Sequence, residues 1–178
     1  MINKEEIESL LTAEDFSKFA WIDPKNIVVA HWVRMKCTFG CPDYGSGTCP
    51  PNTPSVDDCS KFFKEYSSGL IISLTKFADK NKYPSDWSKE MNEKLLKIER
   101  EVFIKGFHKT FLLNQAGCFK CKECSNNRAN CIDKVNSRPS LESFAVDVYQ
   151  TVRNAGFEIN VLKDSPAEMN KIAILLIE

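Results

Sequence analysis

The sequence predicts a single α/β domain over residues 1–178, with α+β as the alternative, built on a mixed sheet of about five strands. Three observations favour this fold class. Amphipathic helical patterns alternate with short apolar or β-branched runs, and no linker or low-complexity segment interrupts them. A chain of 178 residues is long enough for one hydrophobic core. Two cysteine-rich loops each follow a predicted strand and precede a predicted helix.

The N-terminal elements lead into the first cysteine-rich loop. Residues 3–11 carry Ile7 and Leu11 at a helical spacing, which predicts a short amphipathic helix. Residues 27–35 are apolar and rich in valine and isoleucine, which predicts a strand that runs directly into the loop. Residues 37–54 form this loop and contain three glycines and four prolines. We expect a bound metal centre to order such a segment, because it has few regular backbone hydrogen bonds.

A helix and a strand are predicted next. Ser55 followed by Asp58 is typical of a capping box at a helix start. This helix is predicted to end at Gly69, and residues 70–77 are predicted to form a strand. The apolar face of the helix consists of Val56, Cys59, Phe63 and Tyr66.

The longest predicted helix begins at Ser85 and ends at Gly106. Residues 110–115 are then predicted to form a strand that leads through Gly117 into the second cysteine-rich loop. The apolar residues of the helix follow one another at spacings of three or four: Trp87, Met91, Leu95, Ile98 and Val102.

The C-terminal segment predicts one further helix and two strands. Ser140 follows Pro139 as a helix cap, and Gly156 ends that helix. Residues 157–162 and 171–177 are predicted strands, the last being a nearly unbroken apolar run typical of a central strand. The apolar face of the helix comprises Leu141, Phe144, Ala145, Val148 and Val152.

If the strands before the two loops are parallel, both loops emerge at the same edge of the sheet, where open α/β sheets usually place their sites. The two loops would then be neighbours in space although they are distant in the sequence. The helix N-termini that follow them would favour a negatively charged, thiolate-ligated centre.

The second cysteine group contains Cys118, Cys121, Cys124 and Cys131. Its opening, Cys-x2-Cys-x2-Cys, is that of a bacterial ferredoxin run. Cys131 follows after six residues rather than three, so the ferredoxin fold and its exchange of ligands between clusters are not expected. The spacing predicts a [4Fe–4S] cluster, and zinc is the alternative, although Cys121 fits neither of the paired knuckles that structural zinc sites use.

The first cysteine group contains Cys37, Cys41 and Cys49, with Cys59 as a possible fourth member. Cys49 precedes a proline, as some ferredoxin ligands do. Cys59 lies on an apolar helix face, where an inert buried cysteine would also lie. If Cys59 is a ligand, the chain holds two complete four-thiolate sites. If it is not, the first centre has one open position.

Disulfides are the other use of eight cysteines. The N-terminus lacks the features of a signal peptide, no apolar run is long enough to span a membrane, and we expect a cytoplasmic protein. A reducing cytosol disfavours stable disulfides. Both histidines, His31 and His108, lie outside the cysteine loops, so we expect structural roles for them.

The charge of the chain bears on two classes of partner. The chain has 24 Lys plus Arg and 24 Asp plus Glu, which gives no electrostatic reason to expect nucleic-acid binding. Basic residues accumulate between Cys118 and Arg138, where they either compensate an anionic cluster or form a docking face for an acidic partner. These residues are Lys120, Lys122, Arg128, Lys134 and Arg138.

Aromatic residues near the first group are expected to shield it from water: Trp32, Phe39 and Tyr44.

Four segments resemble an uncharacterised family of small cysteine-rich proteins from anaerobes, described as predicted metal-binding proteins. The resemblance covers nearly the whole chain and implies metal binding, with iron–sulfur as the expected form, but no reaction. The segments are Cys37-x3-Cys41-Pro-x-Tyr44-Gly45, Cys49-Pro50-Pro51, Cys118-x2-Cys121-x2-Cys124 and Arg138-Pro139-Ser140.

Three functions are compatible with these patterns. The first is an iron–sulfur protein with one or two [4Fe–4S] clusters that passes electrons to a redox protein partner. The second is an iron–sulfur enzyme that acts at a cluster with an open iron. The third is a binding module stabilised by zinc.

Overall fold

A four-stranded sheet lies at the centre of the computed structural model, which describes residues 3–78, 84–159, 161 and 167–178. Within these ranges there are five α-helices and four strands. The helices are α1 (Lys4–Ala13), α2 (His31–Gly40), α3 (Val56–Phe63), α4 (Ser85–Ile104) and α5 (Val148–Asn154). The strands are β1 (Phe19–Ile22), β2 (Gly69–Ala78), β3 (Phe111–Leu113) and β4 (Ala167–Leu176).

The sheet has the strand order β1-β2-β4-β3, and each described pair of neighbouring strands is antiparallel. The predicted combination of helices and a sheet is confirmed, but the sheet predicted as mixed is antiparallel in its described strands, so the condition of parallel strands before the two loops is not met. β2 and β4 form the central pair, which runs in register from Gly69 opposite Leu176 to Ala78 opposite Ala167. An unbroken apolar strand shows that both faces of the sheet are covered, and this holds for an antiparallel strand between two helical layers as well as for a parallel one.

Helices cover both faces of the sheet. Alternate residues of β4 point to opposite sides, so Ile174 lies in one hydrophobic cluster and Leu175 in the other. The face that contains Ile174 packs against α3, α5 and the 3₁₀ helix Glu142–Phe144. The face that contains Leu175 packs against α1 and α4. Cys59 lies within the cluster of the first face, whereas Cys118 lies near Lys89 and Asn92 of α4, the helix that covers the second face.

The strand predicted over residues 27–35 is wrong. Val29 makes an isolated antiparallel bridge with Val146, and the backbone then enters α2 at His31. Within the described ranges, residues 27–29 make only this single bridge, so extended pairing stops there. Cys37 consequently lies in the last turn of a helix rather than at the end of a strand.

The helix predicted over residues 140–156 is divided in two. Ala145 adopts a left-handed conformation with φ of 57°, and α5 begins only after Asp147, whose side chain caps it. The break occurs because the backbone between the two helices pairs with the segment before α2. The Ala145 carbonyl accepts from Ala30 at 2.9 Å, and the Asp147 N–H donates to the Val28 carbonyl at 2.8 Å.

The remaining predicted elements have mixed outcomes. The helices α1, α3 and α4 and the strands β2, β3 and β4 are confirmed, although α3 ends at Phe63, before Gly69. The sequence reasoning missed β1, a four-residue edge strand. For the strand predicted over 157–162, the described residues 157–159 and 161 are not in a strand, and residues 160 and 162 lie outside the described ranges.

Candidate metal centre

The second loop (residues 117–139) leaves the sheet after β3 and is closed at its base. Asn114 forms a parallel bridge with Ser140, and its N–H donates to the Pro139 carbonyl at 2.8 Å. Arg138 is held by Glu99 of α4, whose two carboxylate oxygens both lie 2.9 Å from the Arg138 Nε. The two ends of the loop are therefore fixed to the sheet and to α4, while all four cysteines of the second group lie between them.

The pKa of one thiol of the second group, that of Cys118, depends on the other three. The pKa of Cys118 is raised above its ordinary value, first by burial and then by the charges of Cys121, Cys131 and Cys124. A hydrogen bond from the Lys120 backbone acts in the opposite direction. These effects indicate that the other three cysteines of the group lie near Cys118, as the sequence spacing predicts.

Basic residues of the second loop mainly bind within the protein. Arg128 donates to the Ser137 hydroxyl at 2.5 Å and to the Lys134 carbonyl at 3.0 Å, and Ser137 Oγ lies 3.6 Å from the Cys131 Sγ. Lys120 forms an ion pair with Glu93 at 3.6 Å. With Arg138 bound to Glu99, three of the five basic residues stabilise the loop itself.

Three cysteines of the first group border one cavity of about 490 Å³: Cys37, Cys41 and Cys49. The Cys37 thiol donates to the Glu142 carbonyl at 3.7 Å. Cys49 is buried, and the Ser143 hydroxyl donates to its Sγ at 3.6 Å. In the structure, residues 37–40 belong to α2, so the first loop comprises residues 41–55. The three thiols are thus placed around one space by α2, the first loop and the 3₁₀ helix Glu142–Phe144.

Electrostatics also group these three cysteines. Burial raises the pKa of Cys49, the hydrogen bond from Ser143 lowers it in part, and the charges of Asp43, Cys41 and Cys37 raise it again. The pKa of Cys37 is raised mainly by burial and also by Cys41. In the metal-free protein, the thiols of Cys37 and Cys49 consequently hold their protons more firmly than free cysteine does.

Cys59 lies apart from the cavity. It is 0% exposed within the core cluster that contains Phe63 and Ile174, and its thiol donates to the Pro54 carbonyl at 3.7 Å. Burial raises its pKa to about 11. Among the described residues that line the cavity, Cys59 is absent.

Arg34 lies near both Cys37 and Cys59. Its charge lowers the pKa of each thiol, and its guanidinium donates to the carbonyls of Pro54 at 2.9 Å and Ser143 at 3.2 Å. Its Nε is buried and has no hydrogen-bond partner among the described residues. Arg34 is not among the residues that line the cavity, so the fit to a thiolate-ligated metal rests on the donor set of three cysteines.

The two loops contact each other directly. The Gly47 N–H donates to the Cys124 Sγ at 3.4 Å. Asn52 donates to the carbonyls of Gly45 at 2.8 Å and Asn126 at 3.5 Å, and accepts from the Arg128 N–H at 3.3 Å. The loops are thus neighbours in space, as predicted. The reason is different, because the strands of the described sheet are antiparallel and the expected common edge of parallel strands does not exist.

A metal site is not preassembled in the described part of the chain. No group of three or more His, Cys, Asp or Glu side chains there is positioned to hold a metal ion. The thiols of each group must therefore turn towards a common point when they bind, as expected for sites whose formation is coupled to binding.

The remaining residues singled out in the sequence have separate roles. His31 begins α2 and forms an exposed ion pair with Asp57 at 3.6 Å, and His108 lies in the turn after α4. The predicted aromatic shield is wrong for Trp32 and Phe39, because they are 47% and 83% exposed on α2, whereas Tyr44 lines the cavity.

Sequence reasoning missed two carboxylates at the cavity. Asp43 and Glu142 both line it, and their charges raise the pKa values of Cys49 and Cys37, respectively. Asp43 follows Cys41 by two residues, so its closeness to the first group could have been read from the sequence. Glu142 is brought in only by the fold.

A family model described as "Predicted metal-binding protein (DUF2284)" matches residues 20–177, and the chain belongs to this family. The description names a metal without specifying iron or zinc. No curated protein and no solved structure matches the chain. A search of the described helices finds none with the length and apolar character needed to cross a membrane.

Proposed function

We propose that this metal-binding protein carries iron–sulfur clusters at its two cysteine groups and passes electrons to a redox protein partner. The observation that carries the proposal is the second group, where three cysteines at two-residue gaps are followed by a fourth and the charges of the other three act on the Cys118 thiol. Four thiolates at such spacing are the usual ligands of a [4Fe–4S] cluster, which supplies one-electron redox chemistry when bound.

The surroundings of the sulfur atoms support a redox role. The pKa of Cys124 is lowered, chiefly by the backbone N–H of Gly47 and then by that of Asn126. Hydrogen bonds to ligand sulfurs are among the factors that set the reduction potential of iron–sulfur clusters. The first loop therefore supplies a group that would adjust the potential of the second centre.

A surface near the first group supports docking of a partner. Trp32, Met35 and Phe39 form an apolar stripe along α2, the helix that carries Cys37, and they are 47%, 49% and 83% exposed. Aromatic and methionine side chains are enriched in protein interfaces. Cys37 lies on the opposite side of α2, so a partner seated on this stripe would be separated from the first centre by the width of one helix.

Metal and sulfide analysis tests the proposal. Protein purified without oxygen is expected to contain iron and acid-labile sulfide in equal amounts. Cys121→Ser should remove about half of the iron if two clusters form. Stoichiometric zinc without labile sulfide would refute the iron–sulfur proposal and establish the zinc-stabilised binding module instead.

A second candidate function is an enzyme that acts at an open iron of the first cluster. The observation that favours it is the position of Cys59, which lies in the core and not at the cavity. Cys59→Ala separates the two. An unchanged paramagnetic resonance spectrum and full iron content would exclude Cys59 as a ligand, and a spectrum altered by cyanide would then reveal an open iron.

A further inference from the structure

We propose that Asp43 supplies the fourth protein ligand of the first centre, together with Cys37, Cys41 and Cys49. The inference rests on the proposed function only in requiring that a metal centre form at this cavity. It assigns to the fourth position a carboxylate instead of the Cys59 thiolate.

The position of Asp43 supports this role. Its side chain lines the same cavity as all three cysteines, and its charge acts on the Cys49 thiol. Asp43 lies in a tight turn that begins at Cys41, in which the Tyr44 N–H donates to the Cys41 carbonyl at 3.2 Å. The turn keeps the carboxylate close to the Cys41 side chain.

Gly117 of the second loop lies beside this carboxylate and also lines the cavity. A Cβ atom placed on Gly117 would lie 3.6 Å from the Asp43 Oδ2, so the carboxylate lies against the start of the second loop. The charge of Asp43 also acts on Cys124. Asp43 therefore lies between the two groups, and since the second group already has four thiols, the first group is the one that lacks a ligand.

Cys59 is poorly placed for the same role. To reach the cavity, its thiol would have to leave the core cluster and its bond to the Pro54 carbonyl. Arg34, which donates to that carbonyl and to the Ser143 carbonyl, influences both Cys37 and Cys59. Its guanidinium is held by these bonds near both thiols, and only Cys37 of the two lines the cavity.

Glu142 is the rival carboxylate. It lines the cavity and raises the pKa of Cys37. It lies, however, in a 3₁₀ helix, whereas Asp43 belongs to the loop that also carries Cys41 and Cys49. The test must therefore distinguish Asp43 from Glu142 as well as from Cys59.

A carboxylate ligand makes a specific chemical difference. Carboxylate oxygen is a harder donor than thiolate sulfur and suits soft, sulfur-preferring centres less well. The metal position held by Asp43 should consequently be the one that exchanges or loses its metal first. Asp43→Cys would give the position a thiolate at the same place in the turn and should retain the metal more firmly.

The experiment compares the wild type with Asp43→Cys, Asp43→Ala, Glu142→Gln and Cys59→Ala. Metal retention against a chelator is measured without oxygen, and circular dichroism verifies that each variant is folded. Asp43→Ala should lose metal from the first centre about 10-fold faster or more, and Asp43→Cys should lose it more slowly than wild type. Glu142→Gln and Cys59→Ala should match the wild type.

Other results would overturn the assignment. Wild-type retention in Asp43→Ala, or selective metal loss in Cys59→Ala or Glu142→Gln, would do so. Because Asp43→Cys keeps a ligand at this position, it keeps the test decisive if Asp43→Ala does not fold. An Asp43→Cys protein that loses metal as fast as wild type, with an identical spectrum, would also refute ligation by Asp43.

A cobalt measurement keeps this inference separate from the iron–sulfur proposal. Zinc in the wild type would refute the iron–sulfur function while leaving the ligand assignment testable. In a Cys121→Ser background, Co²⁺ at the first centre should show thiolate-to-cobalt absorption that rises by about one third in Asp43→Cys, as three thiolates become four. Unchanged absorption would refute the assignment, whichever metal is native.

Discussion

The Gly47 N–H donates to the Sγ of Cys124 at 3.4 Å, so a residue of the first loop stabilises a thiolate of the second group. This bond is the largest cause of the lowered pKa of Cys124. The first loop holds this N–H and directs it at a sulfur of the second group. The second centre therefore depends on the conformation of the first loop.

Replacing Gly47 by proline removes this donor. We expect the pKa of Cys124 in metal-free Gly47→Pro to rise, because the thiolate loses its main hydrogen bond. Alkylation of Cys124, followed by peptide mass spectrometry across a pH series, measures the change. Its half-maximal rate should move to higher pH.

Gly47→Ala is the matched control, because it retains the N–H. An added Cβ would lie 3.5 Å from the Asn127 carbonyl oxygen, which is an ordinary contact. Its alkylation profile should follow that of the wild type. Equal profiles for the proline and alanine variants would show that the bond has no effect on Cys124.

Asn52 joins the two loops through its side chain. Its amide donates to Gly45 and Asn126, and its oxygen accepts from Arg128. Asn52→Ala should lower the free energy of unfolding by about 1–2 kcal/mol and speed metal loss from both centres. Gln150→Ala removes a side-chain hydrogen bond on the exposed side of α5 and should leave metal retention unchanged. Metal loss confined to one centre would contradict a role in joining the loops.

Local patterns in the sequence were sufficient for elements that carry their own signals. α4 has a long apolar stripe, and Ser55 caps α3 by accepting from the Asp58 N–H at 3.1 Å. The strand direction was not predictable in this way, because β4 is buried on both faces and an apolar run carries no information about its neighbour's direction. The break at Ala145 depends on its bond to Ala30, which is more than 100 positions away in the chain.

The candidate site shows the same division. Spacing alone grouped Cys118, Cys121 and Cys124, because residues so close in sequence must be close in space. Cys59 could not be assigned in this way, since its helix face predicts burial and cannot show whether the cavity is within reach. Glu142 is placed beside Cys37 by the 3₁₀ helix that follows the second loop, a contact between residues 105 positions apart.

The pair formed by Glu99 and Arg138 fixes the C-terminal end of the second loop. Glu99 is 5% exposed and also accepts from the Leu112 N–H of β3 at 2.9 Å. Arg138→Met leaves this carboxylate buried without its cation and should lower the free energy of unfolding by about 3–5 kcal/mol. Urea unfolding of the metal-free protein measures it. The double variant with Glu99→Gln should lose less than the sum of the two single losses, and strict additivity would contradict direct pairing.

Metal removal should loosen the loops before it affects the sheet. The loops depend on the metal because they are rich in glycine and proline, whereas α4 and β4 bury apolar faces that require no metal. Hydrogen exchange on chelator-treated protein should therefore show lost protection at Cys49, whose N–H donates to the Ser46 carbonyl, and retained protection at Leu95. Equal loss at both amides would contradict this order.

The buried thiol of Cys59 should make stability depend on alkaline pH. Burial raises its pKa from 9.0 to about 11 in the folded protein. Below pH 9 the thiol is protonated in both the folded and the unfolded states, so its contribution is fully present. Between about pH 9 and 11 the unfolded thiol ionises while the folded one does not, and the free energy of unfolding of metal-free protein should fall by about 2–3 kcal/mol on this account.

Urea unfolding at pH 8, 9, 10 and 11 tests this expectation. Cys59→Ala should be less stable than wild type at pH 8, because it leaves space in the core, and its stability should fall less steeply above pH 9. Val56→Ala on the same face of α3 is the matched control: it also removes buried atoms but has no thiol to ionise. It should retain the wild-type slope. Parallel pH profiles for the wild type and Cys59→Ala would show that the Cys59 thiol has the same pKa in both states, in disagreement with its burial in the core.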